Sequence, residues 1–143
     1  MKLTNYNFSL LVFFFTTNRS KWDVSQVITM ISSFKNTKEF NADISKWQTL
    51  SLTDMTHMFY RSRFNNIISA WDTSKVKRMQ ATFQHTETFD SDISRWQTQQ
   101  VTTMKDMFNG AKAFKRDLSS WDTANVIDMR SMFKDSGGFN IDL

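Results

Sequence analysis

The chain has 143 residues, a length typical of one domain, and a net charge of +4 from 18 basic and 14 acidic residues. The two signs are interspersed, which favours a solubilising surface with only a slight preference for anionic partners. There is no cysteine, so disulfides, thiolate metal sites and cysteine nucleophiles are excluded.

Residues 1–18 form a separate N-terminal segment with an apolar run at residues 8–15. Two interpretations of this run stay open. It is similar to the core of a secretion signal, although no small-x-small cleavage site follows it. It also fits a decayed repeat, because Phe15 lies seven residues before Trp22, the interval that the later repeats keep. The run is too short to cross a bilayer.

Residues 19–143 contain five tandem repeats of about 25 residues and are predicted to form one domain. The five tryptophans are 25, 24, 25 and 25 residues apart, and each is followed by a methionine after eight residues and a phenylalanine after twelve. We expect these side chains to form the core, because a repeat must bury its apolar face against its neighbours. The predicted core residues are Trp22, Trp47, Trp71, Trp96, Trp121, Met30, Met55, Met79, Met104, Met129, Phe34, Phe59, Phe83, Phe108 and Phe133.

Each repeat is predicted to contain one short strand and one short helix. From Leu52 to Phe59 apolar residues recur at i, i+3, i+6 and i+7, which indicates a helical stripe of two turns. Residues 43–47 indicate a brief strand, with Trp47 at the corner that leaves it. Stacked repeats of this kind would form an α/β solenoid that is like a leucine-rich repeat, with a parallel β-ladder on one side.

Charged residues beside the tryptophans alternate from repeat to repeat. Among the last four tryptophans, a basic residue precedes Trp47 and Trp96, and an aspartate follows Trp71 and Trp121. Solenoids usually bind partners on the exposed strand face, so we predict that these residues bind a partner there. The predicted partner-binding residues are Lys46, Asp72, Arg95 and Asp122. The alternative is a neutral face with weak salt bridges.

The residues that could carry chemistry are few. His57 and His85 fall at different positions of their repeats, ten and fourteen residues after the tryptophan, and are expected to be surface residues rather than metal ligands or bases. Four aspartates precede the aliphatic residue of the predicted strand, and we expect them to hydrogen-bond a turn backbone rather than hold calcium. These aspartates are Asp43, Asp92, Asp117 and Asp142.

No catalytic, metal-binding or cofactor-binding motif is present in the sequence. The sequence therefore predicts a protein that is not an enzyme and that uses no cofactor and no metal. Binding to nucleic acid is not expected either, because the aromatic residues needed to stack bases are committed to the core.

The C-terminal residues 140–143 fall inside what would be a sixth strand, and no polar capping unit follows them. This predicts an array that is incomplete at the C-terminus or covered there by another chain. An uncapped strand edge would favour end-to-end self-association.

The segment from Trp121 to Phe133, followed by Phe139-Asn140-x-Asp142-Leu143, resembles the repeats of the BspA-type leucine-rich repeat surface proteins. More narrowly, it is similar to the repeat class of about 25 residues that is abundant in mycoplasma lipoproteins. The resemblance covers residues 19–143. It implies a secreted or cell-surface protein with adhesive or host-interaction roles, without catalytic residues and without a cofactor.

The leading functional hypothesis is a non-enzymatic module at the cell surface, or secreted, that recognises a protein or a glycan. Two alternatives stay open: a structural or self-assembling scaffold in the cytoplasm, and a fragment of a larger surface protein.

Overall fold

A computed structural model describes residues 22–137. Within this range the five repeats stack in register, and the described residues contain no α-helix and no strand longer than an isolated bridge. The apolar N-terminal run and the predicted sixth strand lie outside the described residues. In residues 22–137 no helix is long and apolar enough to cross a membrane.

Parallel β-bridges join the position seven residues after each tryptophan to its counterpart in the next repeat. The bridging residues are Thr29, Asp54, Arg78, Thr103 and Asp128. One residue further on, the N–H donates to the next repeat, as Met30 N does to Asp54 O at 3.0 Å. Since each bridge pairs residues 24 or 25 apart, equivalent residues lie side by side through the stack.

After the bridge the chain enters what we call the turn segment, which covers residues eight to fifteen after each tryptophan. The five turn segments are residues 30–37, 55–62, 79–86, 104–111 and 129–136. Their N–H groups alternate between two acceptors: Met58 N donates to Met55 O within the repeat, whereas His57 N donates to Gln80 O in the next, both at 3.0 Å. Four such inter-repeat bonds join each of the first four turn segments to the following repeat. The backbone is thereby paired without a helix.

Left-handed backbone conformation recurs at two positions of every turn segment, ten and fourteen residues after the tryptophan. The residues at these positions are Ser32, Asn36, His57, Arg61, Ala81, His85, Asp106, Gly110, Ser131 and Asp135, with φ between 52° and 72°. Each is the third residue of a turn closed by an i to i+3 hydrogen bond, and a positive φ there is the geometry of a type II turn. A right-handed helix cannot continue through such residues.

The predicted α/β solenoid, with a strand and a helix in each leucine-rich-repeat-like unit, is therefore wrong in both elements. The segment from Leu52 to Phe59 contains the bridge and two turns instead of a helix. The predicted strand at 43–47 is a turn that Trp47 N closes on Ile44 O at 3.2 Å. The turn segments bury residues eight, eleven and twelve after the tryptophan, and over so short a window this spacing imitates a helical stripe.

The core consists of columns of aromatic rings that run through the stack. The phenylalanines twelve residues after each tryptophan are stacked with ring centroids 5.4–5.7 Å apart. The first four tryptophans form a second column, with centroids 6.0–6.4 Å apart. All the predicted core residues lie in or against this core, and only Met129 and Phe133, in the last repeat, are partly exposed.

Buried polar groups also pair from one repeat to the next. The indole N–H of Trp71 donates to Ile44 O at 3.0 Å, so the buried ring keeps its hydrogen bond. The fully buried hydroxyl of Thr73 donates to Gln97 O at 3.0 Å and accepts from Gln97 N at 2.8 Å. Packing and hydrogen bonding therefore both link neighbouring repeats.

Candidate functional site

The four predicted partner-binding residues lie on turns beside the tryptophans. Because these segments form no strand, the predicted strand face does not exist. Lys46 and Arg95 have exposed side chains in the turn that leads to the tryptophan. The carboxylates of Asp72 and Asp122 each accept the backbone N–H two residues later, at 3.0 Å in both cases. The two aspartates thus shape the corner, and the two basic residues remain as exposed cations.

An open depression of about 540 Å³ lies beside Arg95, between the fourth and fifth repeats. Its lining includes Trp96 and the polar residues Gln97, Gln99 and Ser120. The hydroxyl of Ser120 donates across it to the carbonyl of Ser94 at 2.6 Å. None of the other three predicted partner-binding residues lines this depression.

Three of the four aspartates before the aliphatic residue hydrogen-bond turn backbone, as predicted, and the fourth, Asp142, lies outside the described residues. Asp43 Oδ1 accepts from Ser45 N at 3.0 Å and from the Ser45 hydroxyl at 2.7 Å. Asp92 and Asp117 accept from the serine N–H two residues later at 3.0 and 2.8 Å. Hydrogen bonds from these serines lower the pKa of all three carboxyls. Within residues 22–137 no group of three or more carboxylates and imidazoles is placed to hold a metal ion.

The turn segments create a continuous exposed surface, which we call the turn face. It comprises the side chains nine, ten, thirteen and fourteen residues after each tryptophan. They are Ile31, Ser32, Lys35 and Asn36; Thr56, His57, Tyr60 and Arg61; Gln80, Ala81, Gln84 and His85; Lys105, Asp106, Asn109 and Gly110; and Arg130, Ser131, Lys134 and Asp135. All except Ala81 and Gly110 are exposed or half-buried. The backbone conformation of the turn face is the same in each repeat, but its side chains differ from repeat to repeat.

Five residues of the turn face converge and form what we call the Tyr60 cluster. The Lys35 ammonium lies 5.1 Å and the Arg61 guanidinium carbon 5.2 Å from the centroid of the Tyr60 ring. The imidazoles of His57 and His85 meet the same ring edge-on, with centroids 5.6 and 5.9 Å away. Cation–π attraction and aromatic contact therefore hold groups from three successive repeats together.

Both histidines belong to this cluster, which their positions in the repeat did not reveal. His57 and His85 are half-buried, and each lies at a left-handed position, where histidine is enriched. Burial lowers the pKa of His57, nearby Lys35 lowers it further, and the carboxylates of Asp106 and Asp54 partly oppose the change. His57 lies ten residues after its tryptophan and His85 fourteen residues after its own. The sequence signal that could have related them is the four-residue interval between these two positions of the repeat, both of which are left-handed.

A comparison with curated proteins and a comparison with solved structures each found no match. A family model described as "Mycoplasma protein of unknown function, DUF285" matches the chain twice, over residues 7–67 and 61–143. Two consecutive matches to one model agree with the tandem repeats found in the sequence. The chain therefore belongs to this Mycoplasma family, DUF285.

Proposed function

We propose that this protein is a non-enzymatic recognition module, exposed at the cell surface or secreted, that binds a partner through its turn face. One observation carries the proposal: the backbone of the turn face repeats five times, while the side chains above it change from repeat to repeat. Repeat proteins bind partners on extended surfaces of this kind. Variable side chains on a constant backbone change specificity without disturbing the core.

The roles of the reactive side chains also support a binding function. The aspartates at the turns accept backbone N–H groups, and the histidines stand at left-handed positions against Tyr60. The tryptophans are buried in the stack. The groups that could otherwise act as acids, bases or ligands thus have structural partners, and the exposed surface is left for recognition.

The surface location and the adhesive role rest on the resemblance of the Trp121 to Phe133 segment to BspA-type surface proteins. Membership of a Mycoplasma family is compatible with that resemblance. The proposal therefore includes display to the outside of the cell and contact with a protein or glycan.

The test is protease treatment of intact source cells, followed by detection with an antibody to residues 22–137. We expect degradation without cell lysis, because a displayed protein is within reach of the protease. A lysed sample in which the same antibody detects degradation is the control for protease sensitivity. Complete protection in intact cells would overturn the surface role.

Size-exclusion chromatography over a range of concentrations tests the alternative of a self-assembling scaffold. A recognition module is expected to elute at one size. Elution that shifts to larger sizes as the concentration rises, together with protection in intact cells, would favour the scaffold instead.

A further inference from the structure

The Tyr60 cluster combines two cations with an aromatic ring at one exposed place. Lys35 and Arg61 are both exposed and lie within 5.2 Å of the Tyr60 ring centroid. Since cations repel one another, they gather in this way only where other interactions or a bound anion compensate. The contacts with Tyr60 provide part of that compensation.

Neither cation has a carboxylate partner in the part of the chain that the structure describes. Four other basic residues of that part do form ion pairs: Arg78 with Asp54, Lys112 with Glu87, Arg116 with Asp90, and Arg130 with Asp128. Other described basic residues are also without an ion pair, but Lys35 and Arg61 are set apart because both contact the same aromatic ring.

The backbone arranges the basic groups along a line. Lys35 and Arg61 come from the first and second repeats, thirteen and fourteen residues after the tryptophan, and the imidazole of His85 follows in the third repeat as a hydrogen-bonding group. Arg61 N donates to Gln84 O at 2.9 Å, which holds neighbouring repeats one hydrogen-bonded step apart. Such a step measures about 5 Å. Further along the turn face, Lys105 and Lys134 supply cations in the fourth and fifth repeats, each followed by an aspartate of the turn face, whereas Arg130 is paired with Asp128.

We propose that the Tyr60 cluster binds the anionic groups of an acidic polysaccharide whose chain lies along the stack of repeats. A linear polymer with regularly spaced charges can reach the cations of the adjacent first and second repeats and those of the fourth and fifth. Guanidinium and ammonium groups bind sulfate and carboxylate oxygens through charge-assisted hydrogen bonds. The proposal rests on the proposed recognition function, because it names the partner class for the turn face.

A nucleic acid fits the cluster less well than a polysaccharide does. Binding single-stranded nucleic acid relies on aromatic faces that stack on bases. The Tyr60 ring is already in contact with Lys35 and Arg61, and the described tryptophans are buried. The cluster therefore offers positive charge to an anion but no free aromatic face on which a base could stack.

The chain itself supplies substitutions that remove the charge and suit the backbone. Asn36 stands at the position of Arg61 in the first repeat, and Asn109 stands at the position of Lys35 in the fourth. The test variant is therefore Lys35→Asn combined with Arg61→Asn, since asparagine tolerates the left-handed φ of residue 61.

The control variant removes the same two residue types elsewhere on the surface. It combines Arg63→Ala with Lys75→Asn, because Ala113 already occupies the position of Arg63 in the fourth repeat and Asn125 the position of Lys75 in the fifth. Both variants lower the net charge by two, so a general effect of charge would weaken both equally.

Binding is measured by biolayer interferometry with immobilised dextran sulfate, with uncharged dextran and single-stranded DNA as comparison probes. We expect the unaltered protein to bind dextran sulfate and not dextran. The Lys35/Arg61 variant is expected to bind about tenfold more weakly, the loss of about two charge-assisted contacts that are partly screened by salt. The Arg63/Lys75 variant is expected to bind as the unaltered protein does.

Three outcomes would overturn the proposal: no binding to dextran sulfate, equal weakening by the two variants, or tighter binding to DNA than to dextran sulfate. Thermal melting of both variants checks that they are folded. These outcomes are independent of protease accessibility on intact cells. A failure here with an exposed protein would reject the polysaccharide and leave the recognition function standing, whereas a protected protein would reject the function itself.

Discussion

The left-handed positions are the residue-scale feature on which this structure depends. Nine of the ten are not glycine, and serine, asparagine, aspartate, histidine, arginine and alanine all occur there. A left-handed conformation costs an L-residue roughly 1–2 kcal/mol, so the inter-repeat hydrogen bonds must offset that cost at each position. His57 and His85 therefore have two roles: each adopts the left-handed conformation that its turn requires, and each contacts Tyr60.

Gly110→Ala is expected to destabilise the protein for two separable reasons. Gly110 has φ of 72°, and a Cβ atom there would lie 2.4 Å from His85 Nδ1. The left-handed conformation alone costs about 1–2 kcal/mol. The same substitution in a His85→Ala background keeps that cost but loses the clash. Chemical denaturation measures how much free energy of unfolding Gly110→Ala removes in each background. The loss should be larger when His85 is present, and equal losses would show that the His85 ring moves aside.

Acid is expected to destabilise the turns through their aspartates. Hydrogen bonds from serines lower the pKa of Asp43, Asp72 and Asp92 from 3.8, and Arg130 lowers that of Asp128 to about 2. A carboxyl whose pKa is lower in the folded state contributes stability above its unfolded value, and this is lost as pH falls through the folded value. The stability that these carboxyls contribute should therefore be constant well above pH 3.8 and be lost toward about pH 2, which melting temperatures in this range measure.

The control for the acid experiment is Asp128→Asn, which retains an acceptor oxygen but cannot titrate. This variant should lose less stability between pH 3.8 and about 2 than the unaltered protein. An identical pH profile for the two proteins would show that Asp128 does not contribute to the acid response.

At the scale of elements, the turn segment replaces the helix that its sequence indicates. Its inward residues repeat closely enough to a helical period to be mistaken for one over eight positions. The difference lies in where the N–H groups donate: in a helix they would bond four residues back, whereas here every second one bonds the next repeat. An isolated turn segment would lack the acceptors for these N–H groups, so we do not expect it to fold alone.

Thr73→Val tests the threonine that links adjacent corners. Valine keeps the shape of this fully buried side chain but leaves Gln97 N without the hydroxyl acceptor 2.8 Å away. We expect a loss of about 1–3 kcal/mol in the free energy of unfolding. The matched control is Thr123→Val, at the same position of the last repeat, where the side chain is exposed and the change should stay within about 0.5 kcal/mol. Equal losses at the two positions would refute a role for the buried hydroxyl.

At the scale of the whole molecule, stability depends on contacts between neighbouring repeats. Rings of the phenylalanine column each meet a ring in the adjacent repeat, so an inner ring has neighbours on both sides. The stack is thus close to a one-dimensional chain of coupled units. Damage to one inner repeat should weaken both of its neighbours.

Phe83→Ala is expected to cost about 3–5 kcal/mol, because the ring is fully buried between Phe59 and Phe108. Phe133→Ala should cost clearly less, since Phe133 is partly exposed and stacks on Phe108 at 5.5 Å. Denaturation followed by tryptophan fluorescence measures both losses. A larger loss at Phe133 than at Phe83 would contradict the coupled stack.

The sequence by itself determined the repeat frame, and the recurring aromatic and methionine positions lie in the core that the frame indicated. It also determined the role of Asp43, because an aspartate two residues before a serine N–H forms a turn through local bonds alone. The turn depends on residues close together in the chain, and the repeat frame depends on residue types that recur at fixed intervals. Both can be read from a single sequence.

Only the tertiary structure decided the backbone of each repeat and the composition of the candidate site. The turn segments follow from hydrogen bonds to a neighbouring repeat about 25 residues away, so local periodicity could not distinguish them from helices. The Tyr60 cluster likewise joins Lys35, Tyr60 and His85 from three repeats and from different positions of the repeat. Contacts of this kind depend on how repeats stack, and that is settled by packing between repeats rather than by any one of them.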